Sequence, residues 1–365
     1  MKKVLLVQPI LSHYRQSLFE LLVNDSRLQF VVIAGKELNG IKVFKSNSKK
    51  INAILKNKSF SLMGRKFYYQ VGLFNAIKKK NPTDIIFGGP DFHFITTIIL
   101  SLYLFLFTKI RVHYWTHGIS KTNSIISKKS LAFFYNNASS ILTYEKNGKD
   151  LISKITNNKN IFVVKNSLNY SDYGFNKKKR IFKKHTEIFS ILFSGRLIRN
   201  KKVDVLINAI KLLVDQDIPV VCNIIGNGEH KNELKILTNN LGLQTEINFL
   251  GAKYGVQVDD YFFNSDVFVL PGKVGLSIIH ALSYGLPIIT TSLPIHSPEV
   301  AILKNNENAF FYKDLCPVDL AKVLKYSYDL IKLNKVKLKG NCINSIVENE
   351  YLPEKMKESF INSFI

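Results

Sequence analysis

The chain has 365 residues, 46% of them hydrophobic, with 26 Phe and 16 Tyr against 10 Pro and 19 Gly. That supplies one or two sizeable cores and excludes a disordered, collagen-like or linker-dominated chain. The formal charge of +24 is unevenly held: residues 1–180 carry 25 Lys and 5 Arg against 8 acids, net +22, while residues 181–365 carry 19 Lys and 2 Arg against 19 acids, net +2. An AT-rich coding bias would load both halves alike, so the asymmetry points to an anionic partner of the first half, a membrane face ahead of nucleic acid.

Apolar runs of strand length alternate with amphipathic stretches of helix length, the pattern of βα units around parallel sheets. In chain order the first series of strands is expected at 4–7, 28–33, 84–87, 111–115, 140–143 and 161–164. Lys2 and Lys3 before 4–7 do not make an export signal, because Pro9 closes the run too early. Between Asp91 and Lys109 lie 17 uncharged residues, too few for a spanning helix. A core helix accounts for them, and so does a helix dipping one apolar side into a membrane interface. The stretch 176–186, rich in Lys with little apolar content, reads as a solvated interdomain linker. A second series of strands follows at 189–193, 220–225, 247–250, 266–270 and 287–291. The fold class is α/β, two Rossmann-like domains facing each other across a cleft, at 1–180 and 187–345, with a C-terminal helix at 346–365 returning to the first. Ligands of such sheets sit at the carboxyl ends of the strands.

Three turns of the second series carry the chemistry. After 189–193 come Gly195 and Arg196, then Lys201, a planar fork and a point charge suited to a diphosphate. After 220–225 comes Gly226-Asn227-Gly228, and after 266–270 Pro271 and Gly272 turn the chain into Val274, Gly275 and Leu276, the three whose backbone N–H groups are expected to be unpaired and open to an anion. Neither a P-loop nor a complete GxGxxG is present. In the first half, His117 follows a strand end, and His13 with Arg15 precedes a helix. Asp259-Asp260 reads as a solvated helix face rather than a metal pair. Cys222, Cys316 and Cys342 are too scattered for a disulfide framework or a cysteine zinc site.

The stretches FSGRLIRNKKVDVLINAIKLL, NIIGNGEHKNELKIL, INFLGA and DVFVLPGKVGLSIIHALSYGLPIITT resemble, in order and spacing, the donor domain of family-four retaining GT-B glycosyltransferases. QPILSHYRQSLFELL, HYWTHG, ILTYEKNG and VVKNSLNY resemble the acceptor domain of bacterial members that build surface polysaccharides such as O-antigen or capsule. The resemblance implies transfer of a sugar from a nucleotide diphosphate sugar to a lipid-linked oligosaccharide, at the cytoplasmic face of the cell membrane. No cofactor and no metal are implied, the nucleotide sugar being a substrate. Arg196 and Lys201 match the diphosphate grip, His117 a histidine near the reacting centre, and Gly275 with its neighbours the loop that meets the donor. Gly272 and His280 stand where the family usually has two glutamates, so His280 is expected to contact donor ribose or sugar. His13 and Arg15 are assigned to the acceptor. A GT-B epimerase or phosphorylase would use the same grip, and a catalytically silent nucleotide-sugar binder would lack the glutamates.

Overall fold

The computed structural model describes residues 1–36, 44–119, 125–177, 188–348 and 350–364. It divides into two compact units, Met1–Asn169 with Leu352–Ile365, and Tyr170–Tyr351. The boundary falls at 169 rather than 180 because the short helical turns Tyr170–Asp172 and Gly174–Asn176 are fixed to the second unit. There the Gly174 N–H donates to Ser283 Oγ (2.9 Å) and the Tyr173 hydroxyl donates to the Tyr351 carbonyl. Lys177 is not a solvated linker residue either: its ammonium donates to Asp259 Oδ1 (2.5 Å) and Tyr284 Oη (2.6 Å). The rest of the expected linker, 178–186, lies outside the described residues.

In the first unit β1 (Lys3–Ile10), α1 (Gln16–Asn24), β2 (Gln29–Gly35), β3 (Ile51–Leu62), β4 (Arg65–Val71), α2 (Leu73–Lys80), β5 (Asp84–Phe87), α3 (Ile95–Phe107), β6 (Arg111–Thr116), α4 (Ile125–Asn137), β7 (Ser140–Thr143), α5 (Lys146–Ser153) and β8 (Ile161–Val163) form a sheet of order β4-β3-β2-β1-β5-β6-β7-β8. All neighbours are parallel except β3 and β4. The central strands are buried almost throughout because helices cover both faces. Leu18, Phe19 and Leu22 of α1 pack on one face, while Leu73 of α2, Leu100 and Leu104 of α3 and Phe134 of α4 pack on the other.

The hairpin β3–β4 is absent from the expected series. It is an edge ribbon whose outer part is exposed on both faces, so it lacks an apolar run. Leu62 pairs with Arg65 across a two-residue turn, Met63-Gly64, with both turn residues at positive φ (49° and 72°). That backbone usually attracts Asn-Gly, and Met in its first place hides the signal.

The second unit has β9 (Phe189–Ser194), α6 (Val203–Val214), β10 (Val220–Ile225), α7 (Lys231–Asn240), β11 (Ile247–Gly251), α8 (Val256–Asn264), β12 (Val267–Leu270), α9 (Ser277–Ser283), β13 (Ile288–Thr291), β14 (Ala309–Tyr312) and α10 (Pro317–Glu348). Its sheet, β11-β10-β9-β12-β13-β14, is wholly parallel. The order reverses between β9 and β12, the topological switch at which such sheets bind ligands.

The chain then re-enters the first unit as α11 (Pro353–Asn362), whose Met356, Phe360 and Ile361, with Phe364 beyond it, join the face covered by α1. Phe364 meets Phe30 edge to face and His113 at a tilt. His113 is buried at the amino edge of the sheet, where its Nε2–H donates to Asp84 Oδ1 (2.9 Å) and its Nδ1 accepts from Ser140 Oγ (2.7 Å). Burial raises the Asp84 carboxyl, but hydrogen bonds from His113 and Arg111 outweigh it and hold it at about 2. This Ser-His-Asp set lies at the sheet edge opposite the ligand-binding one and is sealed, so it secures the sheet.

Candidate functional site

The second unit brings the three glycine-bearing turns into direct backbone contact at the carboxyl edge of its sheet. Gly195 N–H donates to Ile225 O (3.0 Å), Leu197 N–H to Asn227 O (2.9 Å), Gly272 N–H to Lys201 O (3.0 Å) and Lys273 N–H to Asn200 O (3.0 Å). The glycines are required by that approach. A Cβ on Gly226 would stand 1.9 Å from Gly195 O, one on Gly228 2.3 Å from Leu197 O, and one on Gly272 2.2 Å from Asn200 O. Gly275 is different, with open space where its Cβ would be.

The cations ride on this locked framework. Arg196 is exposed, and Lys201 reaches across to donate from Nζ to the Lys273 carbonyl (2.5 Å). Burial first, then the charges of Arg196 and Lys273, push the Lys201 ammonium down to about 8. Like charges held together on a fixed scaffold are the arrangement an anion completes.

The Val274 N–H is not unpaired: it donates to His296 Nδ1 (3.2 Å). His296 Nε2 lies 2.7 Å from the Thr291 carbonyl, which only accepts, so the proton sits on Nε2 and Nδ1 is the acceptor. Burial, against the Thr291 hydrogen bond, lowers the pKa of His296 and keeps that tautomer neutral. His296 was missed because nothing in sequence marks a histidine five residues beyond a strand as a prop for another turn.

His280 sits in an aromatic cluster beside Lys177. Its ring packs on Phe262 (4.4 Å between centroids) and Tyr284 (5.3 Å), and the Asp172 carbonyl accepts its other ring N–H, leaving Nε2 buried with no hydrogen-bond partner. Burial, with Lys177 nearby, drives its pKa to about 4. Asp259, expected on a solvated face, is turned inward and accepts from Lys177 and the Tyr284 hydroxyl (2.6 Å).

In the first unit a separate cluster forms at the carboxyl ends of β1, β6 and β7. His117 is exposed and stacks on Tyr144 (4.4 Å, 29°). Arg15 does not reach outward. Its guanidinium lies 4.1 Å from the Trp115 ring centroid and donates to Gln8 Oε1 (2.8 Å) and Tyr144 Oη (2.6 Å), so it fixes the ring on which His117 rests. His13 is tied through its carbonyl to Asn169 Nδ2 (2.6 Å). Gln8 and Tyr144 were not foreseen, since their role comes from strand order, which joins residues more than a hundred positions apart.

Residues 174–335 match the family model described as Glycosyl transferases group 1. Over its length the chain superposes on the crystal structure of a glycosyltransferase from Rickettsia africae ESF-5, with a TM-score of 0.70, 17% identity and coverage of 99% of this chain and 97% of that one. The fold is GT-B. The Anabaena protein HepE in complex with UDP gives a TM-score of 0.65 at 14% identity, covering 100% of this chain and 99% of that one. In sequence, an uncharacterized glycosyltransferase of Haemophilus influenzae is 26% identical over 176 residues, 47% of each chain. The gpi3 subunit of phosphatidylinositol N-acetylglucosaminyltransferase from Schizosaccharomyces pombe is 23% identical over 181 residues, 48% of this chain and 39% of that one. The chain thus spans about half the length of the curated relatives it matches. The match to the family model includes the Arg196, Lys201 and Gly275 turns of the GT-B second unit and leaves out the His117 cluster.

Proposed function

We propose that the protein is a retaining glycosyltransferase that moves a sugar from a nucleotide diphosphate sugar to a hydroxyl of a lipid-linked glycan, peripheral at the inner face of the cell membrane, in surface polysaccharide synthesis. The observation that carries the reading is the cation cluster of Arg196, Lys201 and Lys273, held on turns that hydrogen-bond to one another. Cleavage of the anomeric C–O bond places growing negative charge on the departing diphosphate. Cations fixed in advance stabilise that charge more as the bond lengthens, which lowers the barrier without reorganisation. The amides of Gly275 and Leu276 are assigned to the same anion by the family resemblance, and His296 holds their turn by accepting from Val274. His117, on its Tyr144 support, takes the acceptor side. Retention and the polysaccharide role rest on the family resemblance, and the membrane location on the net +22 of residues 1–180. Among the described residues no helix is long and apolar enough to cross a membrane.

The test incubates the protein with a panel of nucleotide sugars, with and without bacterial lipid extract. Sugar appearing in the lipid phase supports the reading. Epimerised donor, sugar phosphate or binding without turnover would each replace it with the corresponding alternative. Arg196→Ala and Lys201→Ala should each lower turnover by about a hundredfold. Folded variants with wild-type turnover would remove the diphosphate assignment.

A further inference from the structure

The first unit contains a cavity of about 460 Å³ between the β3–β4 hairpin and the helices α2 and α3. Its size is that of a small-molecule site, for which roughly 300–1,000 Å³ is usual. Phe60, Tyr69, Leu73, Phe74, Ile99 and Leu100 give it walls of carbon. Of its three polar side chains, two are engaged with the protein: Thr96 Oγ1 accepts from Gln70 N–H (2.8 Å), and Gln70 Nε2 donates to Gln8 O (3.0 Å) and Asn57 Oδ1 (3.1 Å). The third is the Tyr69 hydroxyl, so the cavity offers a ligand mainly apolar contact.

Its mouth opens onto an apolar surface. On α3, Thr97, Leu100, Ser101 and Leu104 face the core, whereas Ile99, Tyr103, Leu106 and Phe107, at i, i+4, i+7 and i+8, face out. Ile99, Leu106 and Phe107 are 58, 70 and 71% exposed, on a helix face that water would ordinarily fill with polar residues. Ring contacts carry this stripe to the cavity wall, from Phe107 to Tyr103 and from Tyr103 to Phe74 (5.6 Å each). The surrounding segment is cationic: residues 44–110 hold eleven Lys and Arg, all exposed, against two acids, one of which is the buried Asp84. An exposed apolar stripe within a segment whose exposed cations far outnumber its one exposed acid, Asp91, matches an anionic lipid surface.

We infer that this cavity takes a hydrocarbon chain of a bilayer lipid, with α3 lying in the membrane interface. The inference rests on the lipid-linked acceptor proposed above and specifies where its chain goes. Gln70, on the cavity floor, is hydrogen-bonded to Gln8, Gln8 to Arg15, and Arg15 to Tyr144 under His117. The cavity lining is thus hydrogen-bonded, residue by residue, to the cluster assigned to the acceptor.

The test uses the full chain and trans-parinaric acid, a polyene fatty acid that fluoresces in apolar surroundings, with no donor present, so its failure is separate from failure of the transferase reading. One saturable site per chain is expected. Ile99→Glu, at an exposed mouth position, should weaken parinarate at least tenfold. Ile99→Trp, which fills the mouth without a charge, should do the same and covers the case in which the first variant does not fold. Phe107→Glu, outside the cavity, should leave parinarate affinity within twofold while lowering co-sedimentation with phosphatidylglycerol-phosphatidylcholine vesicles at least fivefold. Unsaturable parinarate uptake, or affinity unchanged in a folded Ile99 variant, would overturn the inference. So would a dimer of the wild-type chain that Ile99→Glu dissociates, since a second copy would then be the occupant.

Discussion

Lys201 shows how far one residue's surroundings can be turned into behaviour. Its ammonium is depressed to about 8 by burial and by Arg196 and Lys273, so the unliganded protein loses that charge as the pH rises through 8. A bound diphosphate reverses the effect of its neighbours and restores the proton. UDP affinity should therefore be nearly flat from pH 6 to 7.5 and weaken by about tenfold between pH 7 and pH 9, with proton uptake on binding above pH 8. Calorimetry in buffers of different ionisation enthalpy measures both quantities, and a flat profile across that range would sever Lys201 from the anion. Arg196→Ala should move the onset to higher pH, because one of the two repelling charges is gone. The residue types and their spacing were legible in sequence, since Arg and Lys close together after a strand are local facts. The depressed pKa was not, because Lys273 lies 72 positions away and meets Lys201 only through sheet order.

At the scale of the element, the turn after β12 explains a departure from the family pattern. Gly272 stands where resemblance leads one to expect a glutamate, yet the Asn200 carbonyl occupies the place of its Cβ at 2.2 Å. Gly272→Glu would not restore a lost function. It should push apart the turns after β9 and β12, break the Gly272–Lys201 and Lys273–Asn200 hydrogen bonds, and cost about 1–3 kcal/mol for the backbone groups left unpaired. We expect a lower melting temperature together with UDP binding weakened at least tenfold. A variant with unchanged melting and improved activity would show that the turn yields. Elements with one continuous apolar run, such as β5 and β12, were readable from sequence, and all the expected parallel strands occur within a few residues of their places. The hairpin β3–β4 and the last strand β14 were missed, the first for want of an apolar run and a usual turn pair. Strand signals weaken where a sheet edge meets water, as along the hairpin, whereas β14 is a mostly buried apolar run of four that carried the same signal as β5 and β12 and was passed over.

For the whole molecule, the second unit is one uninterrupted stretch of chain, Tyr170–Tyr351, whereas the first is assembled from two stretches far apart in sequence. The second unit has its own core and sheet, so residues 170–351 expressed alone should melt cooperatively and retain UDP binding. Residues 1–169 alone lack Met356, Phe360, Ile361 and Phe364, and the Lys2 ammonium loses the Phe364 carbonyl to which it donates. Each buried aromatic or aliphatic side chain removed from such a face costs about 2–5 kcal/mol, which exceeds most of a domain's stability when four go together. We expect the 1–169 fragment to be unfolded or aggregated and to recover a cooperative transition when a peptide of residues 352–364 is added. Circular dichroism with and without the peptide decides it. The same chain path imposes an order of events during synthesis. Vectorial growth ordinarily lets the earlier domain mature first. Here the earlier unit waits for residues 352–364 to emerge, and its basic, aromatic-rich surface stays incomplete until the second unit has already had time to fold.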